Sequence, residues 1–219
     1  MIKKNTVRMG LALFFLSALI MPMTGCAPAY YAAMEKIGKE KRHLLKDRVE
    51  DVKTDQTKAQ EEFKDALTRI RELYSLDGGE LEAFYDRLKA SYEDCEDRAE
   101  TIRKRMGQVQ TLATDLFGEW EVEINEIRDT NLKSASHQSL ADAKIRYKKL
   151  QTAMDRSKKA MDPVLSKLND YVLYLKHNLN AKAVGALGQE VVSIEGDVES
   201  LIRDMGASIQ EADQFIKNF

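Results

Sequence analysis

Apolar residues recur along this chain with the spacing of long α-helices. From Leu45 to Leu73 they alternate every fourth and every third residue, and Gln56 is the single polar interruption. From Leu81 to Trp120, positions with the same spacing carry no charged side chain. The spacing resumes from Ala143 to Leu175 and again from Val184 to Phe219. This pattern predicts helices that pack together along coiled-coil-like seams.

Short breaks divide the pattern into four segments. Gly78 and Gly79 separate the first two, and glycine readily adopts the left-handed backbone that ends a helix. A connection so short forces the helices to lie antiparallel. The predicted fold is all-α, an elongated antiparallel bundle of two helical hairpins. Its four long helices are expected at about residues 30–76, 80–128, 139–177 and 181–217.

The predicted third helix follows a polar stretch and contains a proline. The polar stretch from Asp129 to Gln138 is expected to be a break, with Ser139 as the N-cap of the helix that follows. Pro163 falls inside the apolar pattern without changing its phase. A kinked but continuous helix and a fresh helix that begins at Pro163 both remain open.

Composition narrows the class of protein. The chain has 219 residues, 43% hydrophobic and 32% charged, with 3 Pro and 2 Cys. It can bury a core, but it has too few cysteines for a disulfide framework and too few prolines for a turn-rich β-sandwich. Acidic residues outnumber basic ones, 36 to 34. We therefore expect no nucleic-acid partner.

The N-terminus has the features of a signal peptide. Lys3, Lys4 and Arg8 precede an apolar run from Gly10 to Ile20. That run is shorter than the roughly 20 residues that a membrane-spanning helix needs. We expect residues 1–25 to be a signal peptide and residues 26–219 to be one helical domain.

A four-residue motif ends this segment: Met23, Thr24, Gly25 and Cys26. It resembles the lipobox of bacterial lipoproteins, in which the cysteine is acylated and becomes the new N-terminus. The alternative is an ordinary secretory signal that happens to end near a cysteine. Three acyl chains would hold the protein firmly, because each buried methylene contributes about 0.8 kcal/mol. The resemblance implies a membrane partner through the lipid on Cys26.

The residues after the cysteine indicate which membrane holds the chain and which side chains contact it. Ala27 follows it, and by resemblance to enterobacterial lipoproteins this implies the inner leaflet of the outer membrane, with the body in the periplasm. Tyr30, Tyr31, Lys36 and Lys39 are candidate membrane-proximal contacts, because tyrosine favours the headgroup region of a bilayer and lysine is attracted to anionic lipids. The alternative is that they belong to the core and to a solvated helix face.

Two stretches carry a family resemblance. Residues 162–216 and the run from Phe117 to Glu121 are similar to a family of proteobacterial lipoproteins catalogued as a domain of unknown function. The resemblance spans nearly all of the chain after the lipobox, from Tyr30 to Ile216. It implies a helical, coiled-coil-like periplasmic body and assigns no reaction or ligand.

No catalytic residue, metal site or cofactor is predicted. His43, His137 and His177 lie far apart without a metal-ligand spacing. Phosphate-loop and serine-nucleophile motifs are absent from the sequence after the signal peptide. Cys95 occupies a seam position, where it is either a small core residue or an exposed thiol available for an intermolecular disulfide.

We therefore expect a non-enzymatic scaffold or adaptor that binds an envelope protein or itself. Gly78, Gly79, Asn178 and Asn180 mark the turns at one end, a candidate partner-binding tip. Gly185 and Gly188 weaken the last helix near that tip, either for a partner or for close helix packing. The alternative function is a module that binds a lipid or another apolar ligand in its core. Its lining would be Met106, Met154, Met161 and Met205.

Overall fold

The computed structural model describes residues 41–72 and 80–219, and this part of the chain is helical apart from short turns. Four helices lie within these described ranges: α1, Lys41–Glu72; α2, Leu81–Glu126; α3, Thr130–His177; and α4, Ala181–Asn218. The predicted all-α fold with four long helices is confirmed. Residues 30–40 and 73–76 of the predicted first helix lie outside the described residues.

Polar contacts define which helices are neighbours. Each helix is joined to the next by at least one ion pair, and α4 returns to α1. The four examples are Glu62–Arg98 at 3.5 Å, Arg103–Asp162 at 2.6 Å, Arg156–Asp204 at 3.6 Å and Lys53–Asp213 at 2.8 Å. Along each pair, residue numbers rise on one helix as they fall on the other. The helices therefore form an antiparallel bundle in the order α1, α2, α3, α4.

The predicted seams are the buried faces of α1 and α3. Every described seam position of these two helices is buried, including the polar Gln56 on α1. In α4 the seam is buried from Leu187 to Phe219. Periodicity alone was sufficient here, because the apolar stripe of a helix is the stripe that its neighbours cover.

The predicted seam of α2 is wrong at its two ends. Phe84, Ser91 and Phe117 are buried, whereas the predicted Tyr85, Tyr92, Leu116 and Trp120 are half-exposed. Buried positions 91, 95 and 99 are separated by two steps of four residues, as are 109, 113 and 117. A strict 3.5-residue spacing drifts relative to the 3.6-residue helix, and an extra step of four corrects the drift.

The expected break from Asp129 to Gln138 is also wrong. The turn between α2 and α3 spans only residues 127–129, and α3 begins at Thr130. The Asp129 carboxylate accepts hydrogen bonds from the main-chain N–H groups of Asn131 and Leu132, both at 2.9 Å. This cap satisfies the first turn of the helix. Ser139, the predicted N-cap, lies inside α3 and donates to the Ala135 carbonyl at 3.0 Å.

Pro163 lies inside α3, which continues on both sides of it. Of the two alternatives, the continuous helix is the one observed. Met161 and Val164, on either side of the proline, are both fully buried. The helix keeps its buried face through this point because the apolar phase is unbroken.

Candidate interaction surfaces

The centre of the bundle is packed with side chains that include the four candidate ligand-lining methionines. Met161 and Met205 are fully buried, Met154 is 2% exposed and Met106 is 6% exposed. Gln56 crosses the core and donates its Nε2 to Ser157 Oγ at 2.9 Å, and both residues are fully buried. Ser208 on α4 is fully buried as well. The apolar seams of the described core are thus interrupted by polar side chains, of which Gln56, Ser157 and Ser208 are fully buried.

Cys95 is a core residue. It is a free cysteine with 0% exposure, in line with the seam position that the sequence assigns to it. Burial, with smaller contributions from Glu62, Asp94 and Asp65, raises the pKa of its thiol to about 12. A thiol that stays protonated and out of contact with solvent is a poor nucleophile. The exposed-thiol alternative is not supported by this geometry.

The α3–α4 turn, formed by Asn178, Leu179 and Asn180, ends the bundle at the candidate tip. Asn178 is the C-cap of α3, and its side-chain Nδ2 donates to the Tyr174 carbonyl at 2.9 Å. The Asn180 side-chain oxygen accepts from the Lys182 N–H at 3.0 Å, at the start of α4. Both asparagines therefore make helix-end hydrogen bonds to nearby main chain. Gly78 and Gly79, the other predicted tip residues, lie outside the described residues.

Large apolar side chains are exposed near this turn. Leu173 is 51% exposed, Tyr174 is 37% exposed and Leu179 is 42% exposed. Gly185 lies just beyond, near the start of α4, and a Cβ added there would meet no atom within 4 Å. Close helix packing therefore does not explain this glycine. The turn offers apolar contact area that the described part of the bundle does not cover.

An aromatic cluster closes the opposite end of the bundle. Phe117 on α2, Tyr147 on α3, and Phe215 and Phe219 at the end of α4 are buried together. Phe117 meets Tyr147 edge-on with ring centroids 5.6 Å apart, and Tyr147 meets Phe215 at 6.2 Å. Burial, with a smaller contribution from Asp155, raises the pKa of the Tyr147 phenol to about 12. We call this set of four rings the aromatic end.

Arg42 joins the first turn of α1 to the aromatic end. Its guanidinium lies 5.2 Å from the centroid of the Phe219 ring and also donates a hydrogen bond to the Phe219 main-chain oxygen. A cation over an aromatic face is attracted by the ring quadrupole. The start of α1 and the end of α4 are thereby held at the same end of the bundle, as an antiparallel bundle of four helices requires.

A groove of about 590 Å³ runs between the outer surfaces of α3 and α4. Its lining includes small residues, Thr152 and Ala153 on α3 and Ala207 on α4, together with Ile145, which is 57% exposed. The α3 side carries Lys148, Lys149 and Arg156, and the α4 side carries Asp204 and Glu211. The groove therefore has a basic wall and an acidic wall.

The described residues contain no cluster of three or more His, Cys, Asp or Glu side chains that could hold a metal ion. His43, His137 and His177 are all exposed, on α1 and at the two ends of α3. Over the same ranges, no helix is both long enough and apolar enough to cross a bilayer.

Most of the remaining predicted site residues lie outside the described residues. They are the lipobox Met23, Thr24, Gly25 and Cys26, and the candidate membrane contacts Tyr30, Tyr31, Lys36 and Lys39. The aromatic end and the groove were not predicted from the sequence. A signal for the groove was present, because Ile145 is an apolar residue on the polar face of its helix, next to Lys148 and Lys149.

Comparison with known proteins places the chain in one family. Residues 30–219 match the model of a family described as "Protein of unknown function (DUF2959)". No curated protein and no solved structure matches the chain. The match agrees with the resemblance to a domain of unknown function that residues 162–216 indicated.

Proposed function

The chain belongs to the DUF2959 family of proteins of unknown function, and we propose that it is a lipid-anchored, non-enzymatic scaffold or adaptor of the cell envelope. The lipobox-like motif that ends in Cys26 supports the anchor. Ala27, which follows the cysteine, supports a place at the inner leaflet of the outer membrane, with the helices in the periplasm. It would act through its surface, by binding another envelope protein.

The packed core supports a scaffold rather than a ligand-binding module. All four methionines proposed as ligand lining are at most 6% exposed, and the seam residues around them are buried. A core that must open for a lipid would lose these contacts. The free energy for that opening would have to come from the ligand. A packed core with exposed apolar side chains at one turn suits partner binding better.

Lipidation is tested directly by metabolic labelling. The full chain would be expressed in a Gram-negative host with an alkyne-tagged fatty acid, and the label would be measured after coupling to a fluorophore. We expect Cys26→Ser to abolish the label and release the protein from the outer-membrane fraction. Cys95→Ala is the matched control, because its thiol is buried, and it should retain both label and location. Label that persists in Cys26→Ser would contradict the anchor.

Partner binding is tested by site-specific photo-crosslinking in cells. A crosslinking residue at Leu179, in the α3–α4 turn, would be compared with one at His137. His137 is also exposed, and it lies near the start of α3, far from this turn. We expect a discrete product from Leu179 that is reduced by Leu173→Asp, because Leu173 adds apolar surface near the turn. Similar capture from both positions, unaffected by Leu173→Asp, would contradict an adaptor that uses this end.

A further inference from the structure

The two walls of the α3–α4 groove carry opposite charges at matching heights. Arg156 lies level with Asp204, since the two form an ion pair at 3.6 Å. Seven residues away along each antiparallel helix, Lys149 lies level with Glu211. Each charged row thus spans two turns of helix, or about 10 Å. We call these residues the basic row and the acidic row.

We propose that a second copy of this chain binds along the groove, in a dimer whose two-fold axis runs parallel to the helices. Rotation about such an axis keeps every residue at its height and exchanges the positions of α3 and α4. The basic row of each copy then faces the acidic row of the other, twice in one interface. A two-fold interface must be self-complementary in this way, and it closes without forming a filament.

The apolar content of the groove fits the same arrangement. Small residues of the lining, Thr152, Ala153 and Ala207, let a helix of the second copy approach closely. Ile145, which is 57% exposed, would then be covered near the two-fold axis. Lys149 makes no ion pair with any described residue of its own chain, so it is available to the acidic row of the second copy.

The size of the contact sets its expected strength. The α3 side of the groove is about 16 Å long, from Ile145 to Arg156. We therefore expect the buried area to be at the lower end of the range for specific complexes. Exposed charge rows contribute through attraction that salt screens. We therefore expect a weak dimer that dissociates as salt is raised. Both α1 helices begin at the same end of such a dimer, which suits two copies on one membrane, although the dimer itself does not depend on the proposed anchor.

Cysteine crosslinking detects the dimer in the full chain. Ile145→Cys, near the axis, would be compared with Leu173→Cys, an equally exposed leucine on the same helix outside the groove. The purified full chain would be oxidised in mild detergent and run on a non-reducing gel, with the parent protein as background for Cys26 and Cys95. We expect a dimer band from Ile145→Cys that is several-fold stronger than that from Leu173→Cys. Equal bands would overturn the proposal.

Charge reversal then tests the pairing of the rows. One variant, Lys149→Glu with Arg156→Glu, makes both walls acidic, and the other, Asp204→Lys with Glu211→Lys, makes both walls basic. In the Ile145→Cys background with different tags, each variant alone should lose the dimer band. The mixture should form the heterodimer, because every wall again faces its opposite. A fold defect cannot produce recovery on mixing, and circular dichroism checks helix content.

Three results would overturn the inference: dimer bands from either variant alone that equal those of the parent, no heterodimer from the mixture, or an Ile145→Cys crosslink that appears only in cells and joins a different protein. The last would identify the groove as a site for that protein. Loss of fatty-acid label from Cys26 would leave all of these measurements unchanged, so the dimer and the lipid anchor can fail separately.

Discussion

The two ends of the bundle are closed in different ways. At the aromatic end, rings from α2, α3 and α4 pack against one another, and Arg42 of α1 lies against Phe219. At the α3–α4 turn, Asn178 donates to the Tyr174 carbonyl and Asn180 accepts from the Lys182 N–H, and both partners are main-chain groups within four residues. The first closure depends on helices that are distant in sequence. At the second, these two hydrogen bonds join residues that are close in sequence, and Leu173 and Leu179 are exposed.

This difference predicts unequal stability along the bundle. Local opening costs least where few buried apolar contacts hold a helix end. The start of α4 also carries Gly185, which lowers its helix propensity by about 1 kcal/mol relative to alanine. The aromatic end should therefore resist opening, and the turn should open first. A surface that opens easily is suited to a partner that must fit against it.

The largest expected effect is at the aromatic end. Phe215→Ala removes a ring that is 1% exposed and stacked on Phe219 with centroids 4.6 Å apart. Truncation of a buried phenylalanine costs about 3 to 5 kcal/mol of unfolding free energy. Leu173→Ala, near the turn, should cost less than about 0.5 kcal/mol because its side chain is half in solvent. Urea unfolding measures both, and equal losses would remove the distinction between the ends.

High pH should act on the same end. The Tyr147 pKa is about 12 in the folded chain and about 10 in the unfolded chain, so the folded state holds its proton longer. Between pH 10 and 12 the unfolded state binds fewer protons, and the free energy of unfolding therefore falls with pH, by about 2 to 3 kcal/mol from this group.

Comparison of variants isolates that contribution. Tyr147→Phe should flatten the fall between pH 10 and 12, whereas Leu173→Ala, which removes no titratable group, should keep the slope of the parent profile. Cys95, whose pKa is about 12, also lowers stability at high pH, but it is common to all three proteins and cancels in the comparison. Parallel profiles for Tyr147→Phe and the parent would contradict a buried, protonated phenol.

The two ends were also unequally predictable from the sequence. The seams of α1, α3 and α4 follow from apolar spacing alone, because each buried position repeats with the helix. Asp129 was misjudged because a polar stretch with a cap residue at its start is typical of both a loop and an exposed helix. The hydrogen bond that the Leu132 N–H donates to the Asp129 carboxylate shows that a helix begins here. The polarity of the stretch does not reveal that bond.

The aromatic end and the groove could not be derived in the same way. Phe117, Tyr147 and Phe215 meet only because three helices are set at particular heights relative to one another, and periodicity does not fix those heights. The pairing of the charged walls also depends on the relative heights of the helices, since Arg156 and Asp204 become neighbours only in the final register of α3 and α4. Asn178 and Asn180, in contrast, were recognisable because their roles are local.

Asn180→Ala tests the local closure. Loss of its hydrogen bond to the Lys182 N–H should cost about 1 kcal/mol, the usual value for a helix N-cap. If α4 opens locally from the turn, hydrogen exchange should rise in the first turns of α4 and stay unchanged near Phe215. Asn218→Ala, whose side chain donates to the Gln214 carbonyl at the other end of α4, is the matched control. Faster exchange along all of α4 would mean that the helix opens as one unit.

The smallest effect is the most specific test of the comparison. Gly185 and Gly196 are both exposed positions of α4 where an added Cβ meets nothing within 4 Å. Alanine at Gly196 should raise the global free energy of unfolding by about 0.5 to 1 kcal/mol, from helix propensity alone. Gly185→Ala should add less to that global value, because the start of α4 is expected to open before the bundle unfolds, and should instead slow local hydrogen exchange there. If the two substitutions give the same global gain, the start of α4 unfolds together with the aromatic end, and the exposed turn is as firmly held as the rest of the bundle.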